Sequence, residues 1–142
     1  MMTIAATGVW VHDQDVALDF WTTKVGFEVR TDQAFPEIAP GFRWVTVGPK
    51  EQPDFELSLL TIPGPPMVSA EQRDLIVAVM SQGLSGSAFF VTDDVQRDYE
   101  EMSTRGVEFV DLPERRPYGF DCGFRDPSGN QFRLMQVDPT GA

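Results

Sequence analysis

Asp15-Val16-Ala17-Leu18-Asp19-Phe20 and Asp94-Val95-Gln96-Arg97-Asp98-Tyr99 are one pattern written twice. Downstream, Gly26-Phe27-Glu28-Val29 returns as Gly106-Val107-Glu108-Phe109. In each copy an acidic residue opens an apolar-striped run and a glycine closes it, which reads as helix, turn and strand. The two spacings differ by one residue, so one helix has gained a residue between the matching blocks. A repeat of about half the chain points to two similar modules packed together, not to a solenoid array, whose periods run about 20–50 residues. Paired modules of this kind are expected to build one concave site between them.

Length and composition bound the rest. At 142 residues the chain is one domain's worth and can bury a core without staples. A hydrophobic fraction of 42% places it with globular chains, clear of the disordered class. Cys122 is the sole cysteine, so no intrachain disulfide forms and a reducing, cytoplasmic setting is expected. The start, Met1-Met2-Thr3-Ile4-Ala5-Ala6, has no basic segment and no long apolar run, so neither a signal peptide nor a membrane span is expected. Eleven Lys and Arg against 22 Asp and Glu leave a net charge of −11, which argues against nucleic acid as a partner. That field would favour a cationic ligand, although solubility is the plainer reading of it.

Residues 4–11 alternate around Val9 and Val11 as a strand. Asp13 and Asp15 sit where caps and first-turn acids belong, opening a helix through Lys24 that Gly26 closes. Strands follow at 27–32, 42–48 and 55–61, the last with Phe55, Leu57 and Leu59 on one face and Glu56, Ser58 and Leu60 on the other. Pro63-Gly64-Pro65-Pro66 breaks the chain, and Ser69 with Gln72 resembles a capping box opening a helix to Ser81. The second module reads as strand 86–92, helix 93–105, strands 107–111 and 118–125, the turn Asp126-Pro127-Ser128-Gly129-Asn130, and strand 131–137.

These modules resemble the vicinal oxygen chelate superfamily, which holds glyoxalase I, extradiol dioxygenases, fosfomycin-resistance enzymes and bleomycin-resistance proteins. In the first module the resemblance rests on Val11-His12-Asp13-Gln14-Asp15, Ala17-Leu18-Asp19-Phe20-Trp21 and Gly26-Phe27. In the second it rests on Asp93-Asp94-Val95, Tyr99, Arg105-Gly106-Val107 and Phe124-Arg125-Asp126-Pro127-Ser128-Gly129-Asn130. It implies an α+β fold of tandem βαβββ modules whose curved mixed sheet surrounds a concave pocket. The whole chain, 1–142, would be a single domain, with modules 1–61 and 85–137 joined by a Pro-rich helical connector, 62–84. A homodimer is implied by the resemblance alone.

Metal-using members place a His in the first strand of each module and a Glu just after the Asp-Pro-x-Gly-Asn turn; glyoxalase-type members add a Glu in the fourth strand. In this chain those positions hold Ala6, Ser87, Arg133 and Glu56. One carboxylate cannot hold a divalent ion tightly, and Arg133 would add a fixed positive charge. No metal or other cofactor is therefore expected. A buried Glu56–Arg133 pair in its place is the sharper expectation, because a charge inside a protein must be paired. The plainer one is two wetted residues on an open sheet face.

Strand parity and the resemblance gather a ligand pocket from Ala6, Gly8, Trp10, Trp44, Glu56, Ser58, Ser87, Phe89, Tyr118, Arg133 and Met135. His12, the only histidine, reads better as an exposed loop residue than as a general base. Cys122 reads better as a buried strand cysteine than as a nucleophile, since nothing supplies the base an activated thiol needs. The function expected is metal-free binding of a small organic molecule, as in drug or metabolite sequestration. The alternatives are an enzyme of lyase, epimerase or dioxygenase type with an atypical site built on Glu56, Arg133 and Tyr118, and a structural or regulatory dimer with a filled pocket. Small residues at Ala6, Gly8 and Ser87 speak against the filled pocket.

Overall fold

The computed structural model describes residues 1–85 and 88–139. The chain forms two compact units, Met1–Leu75 and Ile76–Ala142. Among the described residues there are two mixed sheets, each with helix packed on one face.

In the first unit, β1 (Thr7–Val11) leads into α1 (Gln14–Asp19), and β2 (Glu28–Ala34), β3 (Arg43–Gly48) and β4 (Leu57–Thr61) follow. The strand order is β1-β4-β3-β2, with β1 parallel to β4 and the other pairs antiparallel. Val9, Val11, Val45, Val47, Leu57 and Leu59 are buried, as are Ala17, Phe20 and Trp21 of the helical segment. Period-2 alternation thus assigns one sheet face to the core and leaves Gly8, Trp10, Trp44, Thr46 and Ser58 on the other. Buried Gln14 ties helix to sheet, donating from Nε2 to the carbonyls of Arg43 (2.9 Å) and Leu59 (2.8 Å).

The helix start and stop agree with the sequence expectation. Asp13 is the N-cap, its Oδ1 accepting from the backbone N–H of Asp15 and Val16. Gly26 closes the helix at φ 96°, in the left-handed region that only glycine enters cheaply. Between these ends, however, the helix runs as a π-helix over Phe20–Val25.

Helix α2 (Ala70–Ser81) opens on the capping box expected of Ser69 and Gln72. Ser69 Oγ accepts from the Gln72 N–H at 3.1 Å, and Gln72 Oε1 accepts from the Ser69 N–H at 2.9 Å.

The second unit repeats the plan with β5 (Phe89–Val91), α3 (Val95–Thr104), β6 (Glu108–Phe109), β7 (Glu114–Arg116), β8 (Gly119–Arg125) and β9 (Gln131–Val137). Its order is β5-β9-β8-β6, with β5 parallel to β9 and β7 also paired to β8. The core is aromatic: Phe124 stacks on Phe132 at 5.4 Å, and Phe90 meets both. Strand β7 was absent from the sequence reading. Glu114-Arg115-Arg116 lies between Pro113 and Pro117 and has no apolar alternation, so only its partner β8 makes it a strand. Several expected strands are shorter in the structure: 4–11 begins at Thr7, 55–61 at Leu57, and 107–111 is reduced to Glu108–Phe109.

The helix caps also correct the register of the repeat. Asp94 caps α3 by accepting from the Arg97 N–H, so its counterpart is Asp13, not Asp15. Thirteen residues run from Asp13 to Gly26 and twelve from Asp94 to Gly106, which also has a positive φ of 95°. The extra residue belongs to the first helix, where the wider π turn accommodates it.

Candidate functional site

Of the described residues expected to line a site, Tyr118 lies in the turn between β7 and β8, and Gly8, Trp10, Trp44, Ser58, Phe89, Arg133 and Met135 fall on the non-core faces of the two sheets. On the first, Gly8 stands opposite Ser58 and Trp10 opposite Leu60, while Thr46 stands opposite Ser58 from the other side. A Cβ on Gly8 would meet Ser58 Oγ, so a larger residue there requires the Ser58 hydroxyl to turn away. Trp44 lies on the same face of β3, and half-buried Ala6 immediately precedes β1. Glu56, just before β4, receives a hydrogen bond from Thr46 Oγ1 at 2.8 Å. Ser87 lies outside the described residues.

On the second sheet, Arg133 and Met135 of β9 stand opposite Phe89 and Val91 of β5. Across β8, Arg133 faces Gly123 and Met135 faces Asp121. A Cβ on Gly123 would lie 2.6 Å from Arg133 Nη1, so the guanidinium extends over the strand through the space a side chain would fill. It ends on Asp121, donating from Nη2 to Oδ1 (2.8 Å) and from Nε to Oδ2 (3.2 Å). Asp111 lies on its far side, 3.4 Å from Nη1 and Nη2.

Asp121 is the centre of this cluster. It is 3% exposed and also accepts from Arg116 Nε (2.8 Å) and the Tyr118 hydroxyl (2.7 Å). Burial alone would raise its pKa, but the bonds from Arg133, Tyr118 and Arg116 prevail and hold it at about 2. Asp121 is a fixed anion at neutral pH, and the same bond pushes the Tyr118 hydroxyl upward, so that it stays protonated. Asp111 has a second task. Its Oδ1 accepts from the Gly123 N–H at 2.6 Å, supplying a backbone partner in the gap between β6 and β7.

Glu56 and Arg133, expected to pair with each other, each have partners within their own unit. The carboxylates that meet this guanidinium are Asp121 and Asp111 of its own unit, and Glu56 is engaged with Thr46 in the other. Sequence reasoning missed both aspartates and Arg116. The signal was available: in strand 118–125, Gly119, Asp121, Gly123 and Arg125 alternate with residues that include buried Cys122 and Phe124. An Asp inside such a strand, one residue from a core position, needs a partner.

His12 is exposed at the junction of β1 and α1. Cys122 is buried in β8, and burial, with the Asp111 carboxylate, pushes its thiol up to about 12. It remains a thiol at neutral pH, not an activated nucleophile.

A metal site does not fit the described residues at the positions the resemblance marks. Ala6 offers a methyl group, and Arg133 offers five donors and no lone pair, already held by two carboxylates. Among the described residues no three of His, Cys, Asp and Glu are grouped so as to hold a metal ion. No described helix is long and apolar enough to cross a membrane.

Two module-like sheets with this strand order and the Asp126–Asn130 turn agree with a match of residues 3–134 to the glyoxalase/bleomycin resistance protein/dioxygenase superfamily. The chain belongs to that superfamily. Within it, the chain is 33% identical over 133 residues to the uncharacterized protein YetH of Bacillus subtilis (strain 168), covering 94% of this chain and 97% of that one. It is similar to the crystal structure of UcmS2, with a TM-score of 0.85 and 36% identity over 95% of this chain and 98% of that one. It is also similar to TnmS3, an antibiotic binding protein from Streptomyces sp. CB03234, with a TM-score of 0.73 and 30% identity over 97% and 98% of the two chains.

Proposed function

We propose that this superfamily member binds a small organic molecule without a metal and without turning it over, as a sequestering protein for an antibiotic-like compound. The observation that carries this reading is the occupant of a ligand position. Where a metal-using relative is expected to present a carboxylate, Arg133 is locked between Asp121 and Asp111. The similarity to an antibiotic binding protein supports it further. A guanidinium held in this way recognises oxygen acceptors and provides no Lewis acid, and the thiol of Cys122 stays protonated. Homodimeric assembly and a cytoplasmic setting complete the proposal and rest on the resemblance and the lone cysteine.

The test is a panel of aromatic antibiotics, bleomycin included, screened by thermal melting and isothermal titration with and without EDTA. A ligand present at a hundred times its Kd should stabilise the fold by about 2.7 kcal/mol. The expected result is saturable binding that EDTA leaves unchanged, with the compound recovered intact by mass spectrometry after prolonged incubation. Consumption of the compound would establish the enzyme reading, and loss of binding in EDTA would establish a metal site.

A further inference from the structure

A band of small side chains crosses the non-core face of the first sheet. Gly8 of β1 stands opposite Ser58 of β4, Ser58 opposite Thr46 of β3, and Thr46 opposite Thr31 of β2. Two residues along, the neighbouring row is bulky, with Trp10 opposite Leu60 and Trp44 on β3. Two residues in the other direction, just before β4, lies Glu56. Because the band is short, the Glu56 side chain folds back over it, and Thr46 Oγ1 donates to Oε1 at 2.8 Å. Thr46 and Ser58 are buried, whereas Glu56, Trp10 and Trp44 are half-buried. Strand geometry sets the band about 7 Å from the row of indoles, a step that an aromatic ring with a substituent on its edge spans.

What this face lacks is a cation. Arg30 reaches it at Gly48, but its guanidinium is ion-paired with Glu28 and donates to the carbonyls of Pro49 (2.6 Å) and Gln52 (3.0 Å). Among the described residues no Lys, Arg or His is ion-paired with Glu56, and its carboxylate holds only the Thr46 hydroxyl. The second unit treats its carboxylates differently, giving Asp121 and Asp111 the guanidiniums of Arg116 and Arg133. Glu56 thus presents Oε2 as an acceptor for a donor from outside the chain. One carboxylate beside hydroxyls is too few ligands for a divalent ion, which leaves an organic cation. The faces of Trp10 and Trp44 attract the same sign of charge, and the net charge of −11 favours it at long range.

We propose that Glu56, Trp10 and Trp44 form a subsite for a flat aromatic ligand that carries a cationic N–H group. The N–H donates to Oε2 of Glu56, and the ring system lies along the two indoles. Thr46 is a positioning residue, since its hydroxyl holds the carboxylate over the band of small side chains. This inference deepens the small-molecule reading above and rests on it.

Two fluorescent aromatic probes test it on the full chain: the cationic proflavine and the anionic 1-anilinonaphthalene-8-sulfonate. Proflavine should bind saturably and more tightly than the anilinonaphthalene. Glu56→Gln should weaken it about tenfold, the loss of one charge-assisted hydrogen bond. Glu100→Gln removes the same charge from an exposed site on α3, where salt screens it, and should change proflavine affinity by less than about twofold. Trp10→Leu and Trp44→Leu should each weaken the dye roughly three- to tenfold through lost ring contact. Thr46→Val keeps the shape but drops the hydroxyl and should weaken it several-fold, while Thr46→Ser should retain wild-type affinity; circular dichroism checks that each variant is folded. Equal effects of Glu56→Gln and Glu100→Gln, no loss in either tryptophan variant, or tighter binding of the anilinonaphthalene overturns the subsite but leaves the small-molecule reading intact. No saturable binding of either dye, together with none in the antibiotic panel, overturns that reading itself.

Discussion

Five residues before each helix cap, and directly across on the neighbouring parallel strand, the first unit holds Gly8 and Ser58 and the second holds Phe89 and Arg133. The backbone positions correspond, yet the side chains differ in kind. In the first sheet a Cβ on Gly8 would meet Ser58 Oγ, and the face sets Ser58 and Thr46 among Trp10, Trp44 and Leu60. In the second, the glycine lies one strand further on, at Gly123, and makes room for a long cation in place of a small hydroxyl. The core faces are built alike, from alternating apolar strand residues packed with a capped helix. The repeat thus determines the scaffold, while the opposite faces vary with little effect on the core. By the same correspondence the counterpart of Glu56 is Gln131, and that of Arg133 is Ser58.

The largest expected effect comes from breaking the cluster that only the second unit has. Asp121→Asn leaves Arg116 and Arg133 with a neutral partner and should cost roughly 2–3 kcal/mol in urea unfolding at pH 7. Because the folded pKa is lowered from 3.8 to about 2, the charged Asp121 contributes its full stability above its unfolded value and loses it as pH falls through about 2. The gap between wild type and Asp121→Asn should therefore narrow steadily below about pH 4. A gap independent of pH would show that the carboxylate's charge plays no part.

A smaller effect tests the close approach of Gly8 to Ser58 in the first unit. Gly8→Ala drives a methyl into Ser58 Oγ and should cost about 1–3 kcal/mol. With Ser58→Ala in the same chain, most of that loss should return, a coupling read from a double-mutant cycle. Strict additivity would mean that Gly8 is needed for its backbone and not for the space.

The smallest effect sharpens the corrected register. Asp13→Ala and Asp94→Ala should each cost about 1 kcal/mol as lost caps. The first should cost more, since two backbone N–H groups rely on Asp13 and one on Asp94. If Asp15→Ala matched Asp13→Ala in thermal melts, the correspondence of Asp13 with Asp94 would fail.

Local chemistry made much of this molecule legible in advance. The caps at Asp13 and Gly26, the reciprocal Ser69–Gln72 box, the Asp126–Asn130 turn and the parity of β4 and β9 each depend on residues a few positions apart, and each is where the pattern places it. The turn is a clear instance. Asp126 Oδ1 accepts from the N–H of Ser128 and of Asn130, bonds that residue order alone allows one to expect. The superfamily followed from the same short-range signals taken in sequence.

What remained hidden depends on contacts between strands. The partners of Arg133 lie 12 and 22 residues away in the chain, and strand register, not spacing, brings Asp121 and Asp111 to it. Strand β7 exists because β8 offers a free edge to Glu114–Arg116, although the segment's own composition is that of a loop. The π turn arises because a residue inserted between a fixed cap and a fixed glycine must be absorbed by the backbone between them. The sequence by itself determined two capped βαβββ modules, because capping and alternation are local. Only the tertiary structure decided which carboxylates hold the arginine, because that depends on how strands align across the sheet.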